Sequence, residues 1–180
     1  MWNDEPAFRE TRMEMHSTRF TAPWGKSLKV TTWLSAIFIM GIPVLDRLTP
    51  FPNTLFYNIV LIVLPLMGLL FASLFTIRGY VLTPHALLVQ RLGWNSTIPL
   101  SGLKAVEIDP TAMSNSIRTL GNGGLFCFAG SFYNGKIGDY RPFATDPDRS
   151  VVLKFSDRTV VVTPGDPQTF VAKIRQNIRG

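Results

Sequence analysis

Between Val30 and Ile77 only Asp46 and Arg47 carry charge, 2 of 48 residues, although the whole chain of 180 residues holds 30 charged side chains. A soluble domain needs charge spread over its surface, so one water-soluble core covering the whole length is excluded. A disordered chain is excluded as well, because the apolar fraction is an ordinary 46%. The single cysteine, Cys127, rules out an intrachain disulfide and a cysteine-rich zinc module.

The charge-poor stretch divides into two apolar runs. Residues 28–45 are broken only by Lys29 and would span about 27 Å as a helix, enough for a bilayer core. Residues 55–77 would span about 34 Å and cross with some tilt. Neither run has a polar face wide enough to meet water, which argues against two buried helices of a soluble protein. Pro43 and Pro65 are tolerated in membrane helices. The connection from Asp46 to Thr54 is too short for a domain, so the helices are expected to form an antiparallel transmembrane hairpin. No A-x-A arrangement follows Leu45, so the first run reads as a retained span and not a cleaved signal.

Lysine and arginine set the orientation. Arg9, Arg12, Arg19, Lys26 and Lys29 precede the first run, Arg47 alone lies between the runs, and Arg78 and Arg91 follow the second. Both termini are therefore expected on the cytoplasmic side. Cys127, with no partner cysteine, agrees with a reducing compartment. Apart from Lys29 near the start of the first run, no strongly ionisable group lies inside the runs, which favours an anchor over a conduit.

Residues 78–180 have the size of one domain and read as β structure. Short strands are expected at 80–83, 86–92, 97–100 and 103–108, with Pro99 marking a sheet edge. A loop follows from Asp109 to Leu120, then a glycine-rich segment from Gly121 to Asp146. Residues 151–155 and 159–163 form a hairpin across Ser156, Asp157 and Arg158. A C-terminal helix starts with Asp166 as N-cap and Pro167 in the first position. Phe170 and Ile174, with either Val171 or Ile178, recur at helical spacing and make its apolar face.

This order, together with YVLTPHALLVQR, IPLSGLKAVE, GNGGLFCFAGSF with Ile137 to Tyr140 after it, and VVTPGDPQTFVAKI, resembles the bacterial PH-domain membrane proteins. The resemblance covers about 150 residues and includes the layout of two membrane helices before the domain. It implies an α+β membrane protein: a two-helix hairpin plus a PH-like antiparallel β-barrel or sandwich capped by a C-terminal helix. The expected divisions are 1–27, a cytoplasmic N-terminal segment; 28–77, the hairpin; and 78–180, the cytoplasmic PH-like domain. Part of the N-terminal segment is open to pairing with the domain.

Sites are fewer. Gly121, Gly123 and Gly124 have the look of a dinucleotide fingerprint, but the strand-like Leu125 to Phe128 follows where a helix should open. A turn needing positive φ is the plainer reading. A third is a ligand- or partner-facing loop, with Phe132, Tyr133, Tyr140 and Phe143 beside Lys136 and Arg141. No HExxH, P-loop or GxSxG motif is present, so no catalytic residue, cofactor or metal is expected. Residues 78–180 carry a net charge of +5, suited to an anionic leaflet. By resemblance, phosphoinositide-binding PH domains gather basic residues around the first hairpin turn. Here that turn is Thr83, Pro84 and His85, which puts specific phosphoinositide recognition in doubt. Scattered basic residues also argue against nucleic acid. The expectation is a non-catalytic binding or scaffolding module in the bacterial inner membrane, its partners the bilayer and a protein or a second copy of itself. The alternative is a small accessory subunit of a membrane transport or envelope-maintenance complex.

Overall fold

The structure is a computed structural model and describes residues 17–46 and 54–179. Most of the N-terminal segment and the loop with Pro50 and Pro52 lie outside the described residues, as do the side chains of Asn58 and Ile178.

A short strand, β1 (Thr18–Thr21), leads into helix α1 (Lys26–Asp46), and helix α2 (Leu55–Ser73) returns against it. Thr54 caps α2 by accepting the Tyr57 N–H at 3.3 Å. The segment Lys26–Leu45, of mean hydropathy 1.7, is long and apolar enough to cross a membrane by length and composition; α2 contributes a shorter apolar stretch, Ile59–Ser73. Both helices turn large apolar side chains outward, Phe38 and Trp33 on α1, Leu64 and Phe71 on α2. The second run does not continue to residue 77 as a helix. It stops at Ser73, the chain turns at 74–76, and Ile77 is buried in the domain core. A run of apolar letters cannot distinguish an apolar helix from the first core strand that follows it.

The domain is a two-layer sandwich. One sheet has the order β1-β2-β3-β4, with β2 (Ile77–Leu82), β3 (Ala86–Arg91) and β4 (Asn95–Pro99). The other has the order β5-β9-β10-β8-β7-β6, from β5 (Leu103–Ile108), β6 (Ile117–Gly123), β7 (Phe128–Asn134), β8 (Gly138–Ala144), β9 (Val151–Phe155) and β10 (Thr159–Val162). Tyr80, Leu87, Val89 and Ile98 from the first sheet meet Val106, Val151, Leu153 and Val160 from the second. Strand alternation sends Val152 and Val161 to the opposite face, where they pack on Phe132, Tyr140 and Ala112. Helix α3 (Pro167–Arg179) closes one end. Its Phe170 stacks edge-on against Phe20 of β1 at 5.0 Å and Tyr80 of β2 at 6.4 Å, and its Arg175 donates to the Val106 carbonyl of β5 at 3.0 Å. Asp166 accepts from the Thr169 N–H, and Phe170, Val171 and Ile174 are buried, as the helical spacing requires.

Three expectations change. The sheets do not close into a barrel among the described residues: Pro99 ends β4 without an N–H, and Gly102, at φ +75°, helps turn the chain into the second layer. The sandwich is not wholly antiparallel. β9 reverses the chain, β10 reverses it again, and β10 therefore enters between β9 and β8 parallel to β8, with Val160 opposite Arg141. Finally, residues 117–146 are mostly not loop. They supply β6, β7 and β8, held by backbone pairing, and of the three β6 carries no apolar alternation. As the sequence left open, part of the N-terminal segment joins the domain: Thr18 pairs with Leu82 and Thr21 with Gly79.

Candidate functional site

Where the first sheet ends in β4, a groove of about 340 Å³ opens between the layers. Arg91, at the end of β3, forms one side of it. The Arg91 N–H bonds the Trp94 carbonyl and closes the β3–β4 turn, which places Trp94 beside its own guanidinium. That guanidinium lies 5.8 Å from the centre of the Phe75 ring, 5.6 Å from Trp94 and 5.4 Å from Phe143. Phe75 and Trp94 stack edge-on at 4.7 Å. The Arg91 Nε donates to Ser96 Oγ at 3.2 Å and Nη1 to the Phe75 carbonyl at 3.4 Å.

Among the described residues no carboxylate comes within ion-pair range of Arg91. Burial lowers its proton affinity, partly offset by the neighbouring Cys127 and Tyr80. A guanidinium held by aromatic rings and without a counter-charge retains attraction for an anion. Cys127 is fully buried behind it, and burial pushes that thiol up to about 11, so it is protonated at neutral pH and is no nucleophile.

The opposite wall is made of backbone. Gly121 of β6 faces Gly130 of β7, at φ +105° and +127°. A Cβ on Gly130 would fall against the Leu120 carbonyl, and one on Gly121 would lie 2.7 Å from the Gly130 Cα. Only glycine permits this approach, and it leaves the groove wall flat. Arg141 of β8 is exposed at the mouth. It also borders an adjoining cleft of about 240 Å³ with Thr97, Pro99 and Arg158.

The residues singled out from the sequence are distributed widely. Gly121 and Arg141 line the groove, and Phe143 stacks on its arginine. Gly123 ends β6 and Gly124 begins the turn after it, which docks on α1: the Thr32 hydroxyl donates to the Gly124 carbonyl at 3.0 Å and accepts the Phe126 N–H at 3.1 Å. Phe132 and Tyr140 are buried on the far face of the six-stranded sheet, their rings 5.9 Å apart, and the Tyr140 hydroxyl donates to Ser116 at 2.7 Å. Tyr133 is exposed on β7 opposite Ile117. Lys136 binds Asp109 at 2.6 Å and Thr111 at 2.7 Å; its hydrogen bond pulls the Asp109 carboxyl below the usual range. These residues therefore do not form one site.

Arg91, Phe75 and Trp94 were missed. Their only local signal was an arginine followed closely by a tryptophan, and the sheet packing that unites them with Arg141 has no counterpart in the letters. The first hairpin turn borders a different cleft, lined by Pro84, His85, Gly102 and Asn177, with no lysine or arginine. Among the described residues no three histidine, cysteine or acidic side chains gather where a metal ion would fit.

No curated protein and no solved structure matches the chain. The bacterial PH domain family does match, over residues 78–178, which runs from β2 through α3 and takes in every strand of the sandwich except β1. With that match extending over more than half of the chain and the sandwich capped by α3 as such a domain requires, the protein belongs to the bacterial PH domain family.

Proposed function

We propose that the protein is a membrane-anchored binding module, with α1 and α2 as a two-span anchor and the PH domain held on the cytoplasmic side. The observation that carries this reading is the outward apolar surface of the helix pair. Phe38 is 74% exposed and Leu64 69% exposed on helices joined directly to a folded domain. In water such a surface drives aggregation; in hydrocarbon it is at rest. The basic residues flanking the helices orient it, and the net +5 of residues 78–180 then faces the anionic leaflet. The groove between Arg91 and Arg141 is the ligand site of this reading, suited to an anionic group carried on an apolar body.

A reporter fused after Gly180 tests the topology. Activity of a cytoplasm-dependent reporter is expected; activity of a reporter that works only outside the cytoplasm would overturn it. A partner-binding role has its own support. Among the described residues β6 is an edge of the six-stranded sheet, and Ile117 and Leu120 are exposed on it. Such an edge accepts a further strand. Native electrophoresis after mild detergent extraction separates the two: a larger complex is expected if β6 is occupied, a lone band if it is not.

A further inference from the structure

The domain and the two helices are not joined by free linkers. β1 runs into α1 and α2 runs back into β2, and these strands are hydrogen-bonded neighbours, with Thr21 opposite Gly79. At the root of α1 the Gly25 N–H donates to the Thr145 carbonyl at 3.0 Å, and the Thr145 hydroxyl donates to the Pro23 carbonyl at 2.8 Å. At the end of α2 the N–H groups of Leu92 and Gly93 donate to the carbonyls of Thr76 and Leu74 at 3.0 and 3.1 Å. The height of the domain along the helices is therefore fixed.

That height is informative. Thr32 lies six residues into α1, about 9 Å along the axis from Lys26. Because its hydroxyl is bonded to Gly124 and Phe126, the uncharged turn Gly123-Gly124-Leu125-Phe126 stands level with the second turn of the helix. The Trp24 ring packs on Phe126 at 6.1 Å below it. The apolar stretch Lys26–Leu45 has 20 residues, about 30 Å, which matches the hydrocarbon thickness with little to spare. Were the domain to stand clear of the bilayer, only the helix beyond Thr32 would remain to cross it, roughly 20 Å. The mismatch would leave the exposed Val30 in water and strain the short span that remains.

We infer that the PH domain is seated in the interfacial layer of the bilayer, with the turns at 123–126 and 92–94 entering among the headgroups. The inference rests on the membrane-anchor reading and goes beyond it, since an anchored domain can equally hang free. The second turn fits the role. Leu92 is 43% and Trp94 42% exposed, a leucine and a tryptophan at the level where α2 ends, and tryptophan is the side chain suited to this layer. Trp94 and Gly121 border the Arg91 groove, so its ligand is met at headgroup depth.

The four tryptophans, at positions 2, 24, 33 and 94, permit a direct test. Two full-length variants, each keeping only Trp33 or only Trp94 and carrying phenylalanine at the other three positions, are reconstituted in phosphatidylcholine–phosphatidylglycerol vesicles. The phosphatidylcholine is brominated either near the head or near the end of its chains. Trp33 is expected to lose emission to bromine, and Trp94 to lose it to the head-proximal bromine above all. Trp94 emission unchanged while Trp33 is quenched would overturn the seating and leave the anchor standing. Trp33 emission unchanged would overturn the anchor itself. A nitroxide on Leu125→Cys gives the same answer without altering a tryptophan: relaxation by oxygen should exceed relaxation by an aqueous nickel chelate, and the reverse would overturn the seating.

Discussion

Tyr80 is fully buried, and its hydroxyl donates to the Phe143 carbonyl at 2.7 Å while accepting the Thr163 N–H at 3.2 Å. Burial pushes its pKa up to about 12, and that of the nearby Cys127 up to about 11. In both groups the folded value is raised. Their contribution is fully present below the unfolded pKa and is lost as pH rises through the folded one, because the unfolded chain gives up its protons first. Thermal stability in detergent is therefore expected to fall between pH 9 and 11, with a shallower fall in Cys127→Ala, measured by near-ultraviolet circular dichroism. Gly130→Ala places a Cβ against the Leu120 carbonyl at a φ of +127° that side chains avoid. A loss of about 1–3 kcal/mol is expected from the same melts. At this scale the sequence was partly legible. Glycines needing positive φ, the Asp166 cap and a buried Cys127 follow from residue type. The burial of Tyr140 and Phe132 does not, because aromatic residues beside glycines read equally well as a ligand loop.

Among the elements, the roots of α1 and α2 couple the helix pair to the sandwich. Thr32 is a polar side chain inside an apolar helix, buried and satisfied by Gly124 and Phe126. Thr32→Val keeps the shape and leaves the Phe126 N–H and the Gly124 carbonyl unpaired, which costs about 1–3 kcal/mol. Amide exchange at residues 124–127 is expected to speed up by about tenfold or more, with β9 and β10 unchanged. Exchange unaltered in that turn would show that Thr32 does not hold it. The elements with strong local patterns were legible: α1, the β9–β10 hairpin and α3 lie close to where spacing and caps put them. β6 was not. Its sequence, IRTLGNG, faces solvent along most of its length, so no alternation marks it, and only pairing with β7 makes it a strand. The end of α2 was also misplaced, because Leu74 to Ile77 are as apolar as the helix before them.

At the level of the whole molecule, the charge partition and the architecture agree. The charge-poor stretch maps onto α1, α2 and the turn after them, and the residues that follow build the bacterial PH domain. The direction of the chain through the sandwich, with β10 parallel to β8 and β1 recruited from before the two helices, was beyond the sequence because it depends on contacts between distant segments. The recruitment of β1 also makes the helix pair an insertion within the domain: the first sheet starts before the helices and resumes after them. The central claim is that this inserted helix pair lies in the membrane. Extraction of membranes containing the full-length protein with alkaline carbonate tests it directly. The account predicts that the protein stays with the sedimented bilayer and leaves it only with detergent; recovery in the carbonate supernatant would contradict it.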